Sequence, residues 1–179
     1  CIDHHKNEVD KFDLSLVLGD FSSNAEIVFN VFYDDGKYLD KTTAEILTLG
    51  ILGDTGNFRF VNYKQSEVFL VVKRLIEVAE MNIQEFMSRY GTYSEKTFLA
   101  VQYVVAHAKI MEIEGWPRFM LSYLDRKCID DMGLKESEVS AAIHIFVSQY
   151  GTSLAEVNWG MVFSARDEGI VSASMRSRP

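Results

Sequence analysis

The sequence predicts an α/β fold in two lobes, on three observations. Over the first half, a short apolar strand pattern is followed by segments with helical spacing. From Asn82 the pattern changes to a run of helices. The chain then closes on two alternating segments joined by Asp167-Glu168-Gly169, a hairpin signal. Its 179 residues suffice for one medium domain or two small ones with a buried core.

Residues 14–18 read as a short buried strand. Ser23 stands three residues before Glu26 in a capping-box pattern, and Ile27, Val28, Val31 and Phe32 recur on one face of the helix that follows. Asp34-Asp35-Gly36 ends that helix, and Asp40 caps the next, over residues 42–52. That second helix is apolar on nearly every face, which predicts burial, with Gly53 as its stop. A third helix spans residues 66–79 and a short fourth carries Ile83, Phe86 and Tyr90. A longer one, from Ser94 to Met111, reads as a connector between lobes. Beyond it come a strand over 118–124, a helix over 136–149, and strands over 156–165 and 170–176. The expected domains are 1–92 and 93–179.

Composition narrows the function classes. Hydrophobic residues make up 47% and charged residues 25%, the balance of an ordinary globular protein. A net charge of -8 argues against a protein that coats long nucleic acid, though not against one that holds a small anion locally. No apolar run approaches the ~20 residues of a membrane span, and no segment has signal-peptide order. With only Cys1 and Cys128, no disulfide framework is implied, and a reducing cytoplasm is the expected compartment. The abrupt start at Cys1 and the end at Pro179, directly after a strand pattern, read as cuts.

Three segments could carry chemistry. Asp3-His4-His5 sets a carboxylate beside two imidazoles, suited to a borderline divalent ion such as Mn²⁺ or Zn²⁺, although a polar surface turn looks the same. Gly53-Asp54-Thr55-Gly56-Asn57-Phe58 would expose Asp54 at a sharp turn, and Asp and Gly are also what ordinary helix ends use. Ser174-Met175-Arg176-Ser177-Arg178 offers guanidinium forks and hydroxyls for phosphate oxygens, or simply charges on an edge strand.

Taken in order, these segments resemble the DHH phosphoesterases over essentially the whole chain. Cys1-Ile2-Asp3-His4-His5-Lys6-Asn7 is similar to the family's naming signature, and Ser22-Ser23-Asn24-Ala25-Glu26 to its Ser-Ser-Thr-Ala-Glu helix start, with Asn24 in place of Thr. Gly50-Ile51-Leu52-Gly53-Asp54-Thr55-Gly56-Asn57-Phe58 is similar to Gly-Ile-x-x-Asp-Thr-Gly-x-Phe. Ser174-Met175-Arg176-Ser177 is similar to the Ser-x-Arg-Ser strand of the DHH-associated domain.

The resemblance implies part of a parallel-sheet DHH domain and part of a smaller α/β DHH-associated domain, joined by a helical connector. It implies a dinuclear Mn²⁺ centre with His4 and Asp54 as ligands, Asp3 orienting His4, and His5 at the substrate phosphate or leaving group. Arg176 and Ser177 would grip phosphate from the second lobe. The implied substrates are short oligoribonucleotides or 3′-phosphoadenosine 5′-phosphate, with no membrane partner and a homodimer left open. The family's His-x-x-x-Asp-x-Asp motif would precede Cys1 and its Gly-Gly-Gly-His segment would follow Arg178, so this chain alone is expected to be inactive. The Ser-x-Arg-Ser and Ser-Ser-x-Ala-Glu segments favour this branch over the pyrophosphatases. A cyclic-dinucleotide phosphodiesterase and a non-catalytic nucleotide-binding module remain the alternatives.

Overall fold

The computed structural model describes residues 1–5, 12–34, 38–166 and 169–177. Lys6-Asn7 of the first motif, Asp35-Gly36 and Asp167-Glu168 of two expected turns, and Arg178 lie outside them. The fold is α/β, and the chain divides into two compact units, Cys1–Gly91 and Thr92–Pro179.

In the first unit, β1 (Ile2–Asp3) runs parallel to β2 (Leu16–Val17), pairing Ile2 with Leu16 and Asp3 with Val17. The expected strand over 14–18 is thus shorter and less buried than its sequence suggests. Its partner is two residues long, and Leu14 is 83% exposed. Helix α1 (Asn24–Phe32) starts at Ser23, whose Oγ accepts the Glu26 N–H. The capping box closes differently from expectation: the buried Glu26 carboxylate accepts the N–H and hydroxyl of Ser22, both at 2.7 Å.

Helix α2 (Lys41–Asp54) is capped by Asp40 and packs against α1 and α3 (Val68–Ala79). Ala44, Leu47 and Ile51 join Phe29, Val68, Val72 and Leu75 in one core. The expectation that α2 is buried all round fails, because Ile46 and Leu49 lie on a side left 63% and 40% exposed. Nor does Gly53 stop it. The helix runs on to Asp54, and the chain reverses at Gly56, Asn57 and Phe58, all with positive φ (56°, 56° and 68°). A Cβ at Gly56 would lie 2.4 Å from the Phe60 ring, so both conformation and space require glycine there. Helix α4 (Ile83–Tyr90), capped by Asn82, completes the unit.

The second unit opens with α5 (Glu95–Ala106), capped by Ser94. It is shorter than the expected helix to Met111, because the chain leaves the helix at His107 and forms β3 (Lys109–Met111), which pairs antiparallel with β4 (Phe119–Leu124). A helix absent from the sequence reading, α6 (Arg126–Met132), follows on the Asp125 cap. Then come α7 (Glu136–Ile145), a π-helical turn Phe146–Tyr150, β5 (Trp159–Ala165) and β6 (Val171–Ser177). The sheet order is β3-β4-β5-β6, with β4 and β5 parallel and β5 and β6 antiparallel.

Successive strand residues face opposite sides of a sheet. Met120, Ser122 and Leu124 stand in register with Gly160, Val162 and Ser164, and these in turn with Arg176, Ser174 and Ser172. The central part of this face is buried with Val104, Ile129, Val139, Ile143 and Phe146 from the helices. Gly151, after the π turn, and Gly160 touch through their backbones. A Cβ on Gly160 would sit 2.5 Å from the Gly151 Cα.

Candidate functional site

The first cluster is built where β1 ends. Asp3, the last residue of that strand, and His4 and His5 beyond it bring one ligand atom each within 4.8 Å of one another. The Asp3 carboxylate accepts the His5 backbone N–H at 3.0 Å and its Nδ1–H at 2.8 Å. Of these, the backbone N–H does most to hold the Asp3 carboxyl below its usual range, with the imidazole adding to it. His4 is oriented from elsewhere: its Nδ1–H donates to Asn24 Oδ1 at 2.9 Å, at the first turn of α1. With Nδ1 of both rings engaged as a donor, neither Nε2 has a hydrogen-bond partner among the described residues. The rings lie 4.1 Å apart, centroid to centroid.

Two bare imidazole nitrogens and a carboxylate oxygen make a donor set that suits a borderline divalent cation. The geometry assigns Asp3 to His5 and Asn24 to His4, whereas the resemblance implies Asp3 as the orienter of His4. Asp54 is exposed at the end of α2 and is not a member of the three-residue cluster. Next to it, the buried Thr55 hydroxyl donates to the Ile51 carbonyl and accepts the Phe58 N–H, which fixes the turn.

The second cluster lies within the second unit, in a cavity of about 370 Å³ lined by Ser140, His144, Arg166, Ser174 and Arg176, among others. Arg176 is exposed, and no side chain pairs with it among the described residues. Ser177 does not line this cavity, whereas Ser174 and Met175, just before Arg176 on β6, do. Arg166 and His144 carried no signal in the sequence reading. The hairpin register alone could have pointed to Arg166, which follows β5 and reaches back to β6. Among the described residues, no helix is long and apolar enough to cross a membrane.

No family model matches the chain. A probable bifunctional oligoribonuclease and PAP phosphatase of Streptococcus mutans is 28% identical over 142 residues, 79% of this chain and 44% of that protein. A probable manganese-dependent inorganic pyrophosphatase of Streptococcus agalactiae is 28% identical over 160 residues, 85% of this chain and 50% of that protein. The crystal structure of an exopolyphosphatase-related protein from Bacteroides fragilis shares the fold, with a TM-score of 0.80 at 21% identity. That likeness covers 99% of this chain and 51% of the other. The chain thus spans about half the length of the relatives it matches. The ordered motifs and relatives at 28% identity thus support a likeness to the DHH phosphoesterase superfamily, and the structural neighbour shares the fold.

Proposed function

We propose that the chain forms part of a manganese-dependent phosphoesterase acting on short oligoribonucleotides or 3′-phosphoadenosine 5′-phosphate. The observation that carries this reading is the gathering of Asp3, His4 and His5 within 4.8 Å, with both Nδ1 atoms already bonded. In it, His4 binds a metal ion through Nε2, and Asp54 is a further ligand of a dinuclear centre. When bound, the ions activate water and neutralise charge on the phosphoryl group. His5, anchored by Asp3, stands at the substrate phosphate or leaving group, and Arg176 holds phosphate from the second unit. Ser177 is kept as a backbone-side contact of that strand. The 1–92 segment is the catalytic part, and 93–179 the substrate-binding part.

A second reading, inorganic pyrophosphatase, draws on the Streptococcus agalactiae relative, matched over a larger share of this chain at the same identity. A substrate panel separates the two. A protein of the relatives' full length that contains this chain should release mononucleotide from a diribonucleotide, or phosphate from 3′-phosphoadenosine 5′-phosphate, faster than it cleaves pyrophosphate. His4→Ala and Asp54→Ala should each abolish turnover. The 179-residue chain alone, even in millimolar Mn²⁺, should turn over none of them, since three or four donors fall short of the roughly six that Mn²⁺ prefers. Turnover by the bare chain, or by the longer protein without Asp54, would overturn the dinuclear assignment.

A further inference from the structure

We propose that Arg166 is a second phosphate-binding residue of the cavity in the second unit, acting with Arg176 on ligands that carry more than one phosphoryl group. This rests on the reading of Arg176 as a phosphate ligand and adds to it a residue that discriminates ligands with two phosphoryl groups from those with one.

The strand register carries the argument. Ser172, Ser174 and Arg176 occupy alternate positions of β6, so they share the face opposite Ser164, Val162 and Gly160. Arg166, just past the end of β5, turns back across this row. Its Nε donates to Ser172 Oγ at 3.0 Å, and that hydroxyl is itself 2.8 Å from Ser164 Oγ. Its Nη1 lies 3.4 Å from a carboxylate oxygen of Glu136 on α7. Two of the five guanidinium N–H groups are thereby engaged, and among the described residues the others have no partner and can serve a ligand.

The anchors fix the plane of the fork without neutralising it. Glu136 is 86% exposed and its approach is long, so its field is largely screened by water. From Ser172, where Arg166 is anchored, to Arg176 is four residues of extended strand, about 13 Å. Two phosphoryl groups joined through a nucleoside match the length of such a row better than one does. Between the ends, Ser174 and, from α7, Ser140 and His144 line the same cavity and offer further hydrogen-bonding groups. The strand therefore presents cation, hydroxyl, hydroxyl and cation along one line.

The test is binding without turnover. The chain is titrated in EDTA with 3′-phosphoadenosine 5′-phosphate and, separately, with adenosine 5′-monophosphate. Arg166→Gln should weaken the bisphosphate about tenfold or more and the monophosphate by no more than about threefold. Arg176→Gln should weaken both, and Arg166→Lys should recover part of the bisphosphate affinity, since it keeps the charge and loses the fork. Equal effects of Arg166→Gln on the two probes, including none, would overturn the role of Arg166 while Arg176→Gln still reported on the underlying reading. No effect of Arg176→Gln, or no binding by the wild-type chain, would overturn both. If Arg166→Gln fails to fold, Ser172→Ala frees the guanidinium from its anchor. It should weaken only the bisphosphate, and an unchanged affinity would count against the proposal.

Discussion

At His4 the ring Nδ1–H is engaged by Asn24 at 2.9 Å, so the ring nitrogen left for a ligand is chosen by a residue of a different element. The expected consequence is specific. Asn24→Ala should leave α1 intact, because its cap is Ser23, and should release the His4 ring to both tautomers. Imidazole ¹⁵N correlation spectra should then lose the single Nδ1-protonated form of His4, and Mn²⁺ affinity should fall roughly 10–100-fold by titration. An unaltered His4 tautomer in the variant would show that Asn24 does not position it. Asn24→Thr should retain part of the effect, since a hydroxyl can also accept. Asp3, His4 and His5 were legible because they are adjacent in the chain. In the sequence Asn24 shows only as a residue in place of Thr, because a hydrogen bond across twenty positions depends on how β1 meets α1.

Helix starts were more legible than helix ends. Asp40 and Ser94 each precede a helical pattern and each cap a helix, whereas α5 was read through to Met111. The apolar residues beyond His107 suit either a helix or a strand, and pairing with β4, a distant segment, makes Lys109–Met111 a strand. Helix α6 is not legible in the sequence, because it is only seven residues long and depends on its cap. The Asp125 carboxylate accepts the Cys128 N–H at 2.7 Å and the Tyr103 hydroxyl at 2.9 Å. The Cys128 N–H does most to hold its carboxyl below the usual range, the Tyr103 hydroxyl adds to this, and burial opposes them. On the other side of this bond, burial and the Asp125 partner push the Tyr103 phenol up, so it stays protonated and donating. Asp125→Ala should therefore cost about 1–2 kcal/mol at neutral pH. The sign of the pH dependence follows from the lowered folded value. The carboxylate stabilises the fold above the unfolded value of about 3.9, and its contribution fades as pH falls through the folded one. The Tm difference between wild type and variant should be widest near pH 7 and narrow below about pH 4. A difference that holds constant to low pH would remove the carboxylate from this account.

Across the whole chain, each unit closes its own apolar core: Leu75, Ile51 and Val68 in one, Val162, Phe146 and Leu124 in the other. A cavity in one core should therefore be felt mainly there. Leu75→Ala should cost about 2–5 kcal/mol. Hydrogen exchange should show lost protection in α2 and α3 with the sheet amides of β4 and β5 unchanged, and uniform loss across both units would contradict this. The pattern change after Asn82 made the existence of two lobes readable. That α5 packs against α7 and β4 was not readable, since a helix with apolar residues on several faces does not name its neighbours. The backbone touch of Gly151 and Gly160 reaches further than packing. Changing glycine to alanine usually stiffens the unfolded chain and helps stability. Here a methyl group on residue 160 would press on the backbone of Gly151 and lift β5, and Arg176 stands directly across from that point on β6. The two glycines thus form one clearance: a side chain on residue 160 has to displace the backbone of Gly151, and with it the strand that faces Arg176.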